Sequence, residues 1–239
     1  MPYQSTYHAP VEQLLKLGDD SIRKLVWLDY LQMGISDQDI PELIRMATDE
    51  DLLWSPQESR RVWAPVHAWR ALGELRAEAA IEPLLSLFDE LSDDDWVGEN
   101  IPLVFGVIGP TALPVLQRYM ADPSPEEFSL VHASEAIWHI AQLHPESAGR
   151  CTGILFKQLM RFEKQPPIFN AFLIMRLVDL KYTAAESLIR LAFKHQMVDE
   201  LLMGDYAMVE RQLHETDPRE VTIRKEHNEA EIGFLRKYI

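Results

Sequence analysis

The chain has 239 residues, 47% of them hydrophobic and 26% charged, a composition that allows one domain with a substantial buried core. The formal net charge of −15 argues against a nucleic-acid interface, which needs clustered Lys and Arg, and against binding to an anionic membrane surface. Cys151 is the single cysteine, so an intramolecular disulfide and a cysteine-based zinc site are excluded. The N-terminus lacks the pattern of a signal peptide and no apolar run is long enough to span a bilayer, so we expect a cytoplasmic protein with no membrane partner.

Taken in chain order, the sequence predicts a single domain over residues 1–239. Residues 1–27 are expected to cap its N-terminal end, and repeats of two helices are expected over residues 28–195. The first copy (28–47) is weak, and an insert, TDEDLLWSPQESRRVW (48–63), separates it from the next copy. A C-terminal cap or tail is expected over residues 196–239.

Internal repetition is the main signal of the fold. The segments HAWRALGELRAEAAIEPLLSLF (67–88) and FLIMRLVDLKYTAAESLIRLAF (172–193) align at one constant offset. This alignment pairs Leu72 with Leu177, Arg76 with Lys181 and Phe88 with Phe193. Intermediate copies lie in IPLVFGVIGPTALPVL (101–116) and VHASEAIWHI (131–140).

Apolar residues in each copy have helical spacing. Ala68, Ala71, Leu72 and Leu75 occupy the i, i+3, i+4 and i+7 positions of an amphipathic helix. No alternating β-branched run stands between turn signals, so no sheet is expected. Because a pair of helices cannot bury its apolar face alone, we predict an all-α fold, a right-handed α–α superhelix of about four to five stacked helical pairs.

The segments HAWRALGELRAEAAIEPLL and LVHASEAIWHIAQLHPES resemble HEAT-like repeats of the phycobilisome-lyase type, over about residues 20–195. Residues 196–213 resemble a tail found in bacterial HEAT-repeat proteins. The resemblance implies a solenoid, and such repeats identify an architecture more often than a function. Relatives with this fold serve as scaffolds, pigment-lyase subunits, DNA glycosylases and iron hydroxylases.

By the same resemblance, the helix that carries VHAWRALG lines the concave groove of the solenoid. One flank of this helix and of its equivalents supplies our candidate binding residues, which we expect to form a continuous strip. They are His67, Arg70, Glu74, Asn100, His132, Glu135, His139, Met175 and Asp179. Trp69 and Trp138 lie off the apolar stripe, and they would mark a protein interface if they were exposed.

The residues His132, Glu135 and His139 are of the types that bind zinc or iron. However, the two histidines are two helical turns apart, about 10.5 Å along the axis, so one ion would need ligands from another helix. The His-Glu pattern of the iron hydroxylases falls on Val66 and Val131 in this chain, and the acidic candidates do not suit a DNA glycosylase. We therefore expect no metal and no cofactor.

Two functions remain open at this point. The leading expectation is a non-catalytic scaffold that binds a protein partner along the concave face. The alternative is a lyase or metal-dependent enzyme subunit that uses the histidine and glutamate residues of the strip.

Overall fold

The computed structural model of the chain describes residues 6–19, 27–56, 58–215 and 233–239. Every regular element within these ranges is helical, so the all-α prediction is confirmed. The α-helices are α1 (Ile40–Ala47), α2 (Glu50–Leu53), α3 (Ala64–Glu74), α4 (Ile81–Glu90), α5 (Asp95–Ile108), α6 (Leu113–Ala121), α7 (Glu127–Leu143), α8 (Ala148–Leu159), α9 (Pro167–Asp179), α10 (Glu186–Lys194), α11 (Glu200–Met203) and α12 (Tyr206–Leu213). Among these helices, none has both the length and the apolar composition needed to cross a bilayer.

Short 3-10 segments precede the first α-helix, connect many of the others and follow the last described one. They are Val11–Lys16, Asp37–Asp39, Arg60–Trp63, Glu78–Ala80, Pro110–Ala112, Pro145–Ser147, Phe162–Lys164, Thr183–Ala185 and Gly233–Tyr238. The predicted N-terminal cap (1–27) and C-terminal tail (196–239) lie partly outside the described residues. Two compact units make up the chain, an N-terminal unit over Met1–Ala112 and a C-terminal unit over Leu113–Ile239, and a single repeat domain stays a prediction.

The core of the N-terminal unit is built around α3. This helix packs against α1 and against α5, and each residue from Ala64 to Gly73 is buried. A helix that is buried on all sides has no solvent-facing flank. Polar side chains on α3 therefore lie in the interior and must find partners there.

The core of the C-terminal unit is built around α7 and α9. These two helices pack side by side, and α7 also contacts α6 and α8. The helices α6 and α8 are neighbours in turn. Alternate helices thus lie next to each other within this unit, as stacked helical pairs require.

The first helix of each aligned segment, α3 in 67–88 and α9 in 172–193, ends in the same backbone geometry. Arg76 and Lys181 have left-handed backbone, with φ of 49° and 54°. After α3, the Ala77 N–H donates to the Leu72 carbonyl at 2.9 Å, and after α9 the Tyr182 N–H donates to the Leu177 carbonyl at 2.9 Å. These are Schellman caps at equivalent positions, so the two segments share a backbone geometry as well as a sequence pattern.

We expect Arg76→Gly to stabilise the protein by about 0.5–1 kcal/mol, because glycine relieves the left-handed strain but loses more conformational entropy on folding. Urea unfolding of the wild type and the variant measures this difference. Arg76→Ala is the control, since it removes the same side chain and keeps the strain. The expectation fails if the two variants are equally stable. Lys181→Gly also removes the ammonium that donates to the Gln212 carbonyl at 2.6 Å, a loss that offsets part of the gain from relieving the strain.

Candidate functional site

The candidate His67 lies in the core of the N-terminal unit. Its Nε2 is 2.9 Å from the carbonyl oxygen of Gly18 and its Nδ1 is 2.9 Å from the hydroxyl of Tyr30. A carbonyl oxygen can only accept, so Nε2 carries the proton and Nδ1 accepts from the tyrosine. Burial lowers the pKa of His67 to about 4, and the ring is neutral at pH 7. Both nitrogens are engaged within the protein, which gives His67 a structural role.

The candidates Arg70 and Asn100 contact each other between α3 and α5. The Nε and Nη2 atoms of Arg70 both donate to the Oδ1 of Asn100, at 2.9 Å and 2.8 Å. The Nδ2 of Asn100 donates to the carbonyl of Trp96 at 2.9 Å. Only 1% of Arg70 is exposed, so this arrangement links two core helices. The half-buried Glu74 accepts a hydrogen bond from the Tyr30 N–H at 2.8 Å.

The candidates Glu135, His139 and Asp179 meet around Arg176 in the C-terminal unit. The Nη2 of Arg176 is 3.1 Å from Glu135 Oε1, and its Nη1 is 3.9 Å from Asp179 Oδ2. The Nε2 of His139 is 3.9 Å from the same oxygen of Glu135. Burial, together with the charge of Arg176, lowers the pKa of His139 to about 3. Sequence reasoning did not single out Arg176, which connects α9 to α7 through this contact.

The remaining candidates, His132 and Met175, are half-buried. Within the described ranges, no group of three or more His, Cys, Asp or Glu side chains is arranged to hold a metal ion. His132, Glu135 and His139 all lie on α7. The side chain that reaches Glu135 from the neighbouring helix α9 is the cation Arg176. A guanidinium cannot act as a metal ligand.

The expectation of an accessible strip is wrong for His67, Arg70, Asn100 and His139, which are buried. The physical reason is that α3 and α7 have packing neighbours on several sides, so the polar flank of each helix faces other helices. The same packing leaves Trp69 and Trp138 only 2% exposed, so neither is the exposed aromatic ring that the sequence analysis considered. Burial of His67 and His139 also weighs against the enzyme alternative, which needs the histidines of the strip within reach of a substrate.

An open groove in the N-terminal unit has a volume of about 790 Å³ and is lined by tryptophan side chains. We call it the tryptophan groove, after Trp54, Trp63, Trp69 and Trp96. Trp54 is 72% exposed, and the rings of Trp63 and Trp96 meet edge to face with their centroids 4.7 Å apart. Trp69 is buried and its Nε1 donates to the Ala47 carbonyl at 2.9 Å. The groove therefore combines accessible aromatic rings with a fixed aromatic base.

Three local caps determine where the accessible rings lie. Asp49 accepts a hydrogen bond from the Asp51 N–H at 3.0 Å, beginning α2, which ends just before Trp54. The Oγ of Ser59 accepts from the Arg61 N–H at 3.3 Å and begins the 3-10 turn that ends at Trp63. Asp94 accepts from the Trp96 and Val97 N–H groups at 2.8 Å and 3.1 Å. Short polar residues at these positions are typical helix N-caps.

The charged residues of the groove lining are mostly acidic. Asp19, Glu58 and Asp94 supply carboxylates. Among the described residues of the lining, Arg60 is the one cation. The Nη1 of Arg60 donates to the Lys16 carbonyl at 3.2 Å. The lining therefore favours a cationic or neutral ligand over an anionic one.

Sequence reasoning missed this groove. The signal that could have found it is the insert at residues 48–63, which departs from the repeat and contains Trp54 and Trp63. Insertions in repeat proteins map to loops and often to a binding face.

Comparisons with protein-family models, with curated proteins and with solved structures found no match for the chain. The candidate site is therefore assigned from its geometry.

Proposed function

We propose that the chain is a non-catalytic binding module, and that it takes up a segment of a partner protein in the tryptophan groove. The observation that carries this proposal is the exposure of Trp54, which is 72% accessible and lines a concave surface. Tryptophan is enriched in the residues that dominate binding energy at interfaces, where such residues fill pockets on the partner.

The size of the groove supports the same reading. Its volume of about 790 Å³ lies within the range of about 300–1,000 Å³ that is usual for ligand sites. Trp63 and Trp96 brace each other through their edge-to-face contact. A rigid aromatic surface loses little conformational entropy when a partner binds.

The two serines of the groove lining have structural roles, which favours recognition over nucleophilic chemistry. The Ser55 hydroxyl donates to the Asp51 carbonyl at 2.6 Å. The Ser59 hydroxyl accepts from the backbone of Arg61. Each hydroxyl is thus engaged in fixing a turn next to a tryptophan.

We extend the proposal to the architecture. Stacking of α7 against α9 and of α6 against α8, together with the matching caps at Arg76 and Lys181, supports a HEAT-like repeat. We propose a right-handed superhelix of about four to five helical pairs, each stacked on the next. A cytoplasmic location is part of the same proposal.

Selection from a random library of phage-displayed peptides tests the function. Peptides selected on the wild type should bind the Trp54→Ala variant at least about tenfold more weakly, as expected for loss of an interface hot spot. Leu201→Ala is the matched control, because Leu201 is fully exposed in the C-terminal unit. The proposal is wrong if no peptide is selected, or if the selected peptides bind Trp54→Ala as well as they bind the wild type.

A further inference from the structure

We infer that the tryptophan groove recognises an arginine side chain of an extended partner segment. This inference rests on the proposed function and specifies its ligand. Three observations carry it: the carboxylate oxygens of the lining that have no partner among the described residues, the tryptophan rings of the lining and the hydrogen bond of Arg60.

Two carboxylates of the groove are available to a ligand. Asp94 uses Oδ1 to cap α5. Glu58 is exposed on the groove lining. Across the described ranges, neither Glu58 nor the second carboxylate oxygen of Asp94 has a hydrogen-bond or ion-pair partner. Such acceptors favour a ligand that donates several hydrogen bonds and carries positive charge.

The tryptophan rings of the same groove lining also favour a cation. The face of an indole ring attracts cations more strongly than other aromatic side chains do. Trp54 contributes an exposed ring to the groove lining, and the half-buried Trp63 and Trp96 belong to the same lining. Carboxylates and indole rings together therefore provide both parts of a cation-binding site.

The resident cation of the lining does not fill this role. Arg60 is directed to the Lys16 carbonyl by its Nη1. The chain as a whole carries a formal net charge of −15, which attracts a basic partner at long range. Charge complementarity therefore points to a basic segment as the occupant.

Arginine fits this surface better than lysine does. Its guanidinium is planar, stacks on aromatic faces and donates two parallel hydrogen bonds to a carboxylate, whereas an ammonium is a compact and strongly hydrated point charge. An open groove of about 790 Å³ is also larger than one guanidinium group. The flanking residues of an extended segment would occupy the rest of it.

Binding of oriented peptide pools tests the assignment. Four pools of nine-residue peptides have random flanks and a central arginine, lysine, citrulline or glutamate. Citrulline matches arginine in shape but has no charge. The arginine pool should be retained by the wild-type protein about tenfold more than the citrulline pool, and its retention should fall with added salt.

The double variant Glu58→Gln/Asp94→Asn should remove this preference. Asparagine is as good a helix N-cap as aspartate, so the start of α5 is preserved. Glu78→Gln is the matched control, because Glu78 is exposed in the same unit and does not line the groove. Loss of the arginine preference in the control as well would count against the assignment.

The outcomes separate this inference from the proposed function. Equal retention of all four pools, abolished by Trp54→Ala, would overturn the arginine assignment and leave the binding module in place. Failure of every pool, together with failure of the phage selection, would overturn both.

Discussion

Lowering the pH from 7 to 5 is expected to reduce the free energy of unfolding by about 2 kcal/mol for each of the two buried histidines, His67 and His139. A difference of one pKa unit between the folded and unfolded states corresponds to about 1.4 kcal/mol. Burial lowers the pKa of His67 to about 4 and that of His139 to about 3, whereas both titrate near 6.5 in the unfolded chain. The unfolded state therefore binds protons over this range and the folded state does not. The stability contributed by the two neutral histidines is fully present above about pH 6.5 and is lost as the pH drops toward about 4.

Urea unfolding at pH 7, 6 and 5 measures this dependence. The variant His139→Leu should lose about half of it, because only His67 then contributes. His195→Gln is the control, since His195 is exposed. The burial argument is contradicted if the wild type is equally stable at pH 7 and pH 5, or if His139→Leu keeps the full dependence.

The second large effect is expected from Gly73→Ala, which should destabilise the protein by about 1–3 kcal/mol through overpacking, even though alanine is the better helix former. A Cβ at this position would lie 2.9 Å from Cζ3 and 3.0 Å from Cη2 of Trp27, and 3.5 Å from Cγ1 of Val104. Trp27 is buried, so its ring has little space to move. The glycine of the repeat pattern is thus needed for the close approach of this indole.

Gly153→Ala in α8 is the matched comparison. No heavy atom lies within 4 Å of a Cβ built there, so this change should stabilise the protein by about 0.5–1 kcal/mol through helix propensity alone. Thermal and urea unfolding of both variants measure the contrast. A smaller residue in place of Trp27, such as leucine, should reduce the cost of Gly73→Ala in a double-mutant cycle. The packing explanation is wrong if Gly73→Ala and Gly153→Ala change stability in the same direction.

The helical class could be predicted from the sequence because it depends on spacing along one segment. The pairing of Leu72 with Leu177 and of Arg76 with Lys181 is visible in the residues themselves, and the structure shows the same caps at both places. Periodicity also identified Ala68, Ala71 and Leu72 as buried residues of α3, whereas Leu75 is half-buried just after the end of this helix. These features are local, so one sequence suffices to find them.

The environment of the polar residues could not be predicted in the same way. The spacing of His67 and Arg70 places them on one flank of a helix but does not show that another element packs against that flank. Arg70 meets Asn100 only because α5 lies beside α3. The tryptophan groove has the same origin, since it depends on the contact between Trp63 and Trp96 from different elements. The burial and the partners of a polar side chain depend on tertiary packing, which a local sequence pattern does not show.

The distribution of tryptophans between the two units gives the chain a built-in optical label. Five of the six, Trp27, Trp54, Trp63, Trp69 and Trp96, belong to the N-terminal unit, and Trp138 alone belongs to the C-terminal unit. Intrinsic fluorescence therefore reports mainly on the N-terminal unit, whereas far-ultraviolet circular dichroism reports on the helices of both. If the two signals change at the same denaturant concentration, the units unfold together. If they separate, each unit has its own stability.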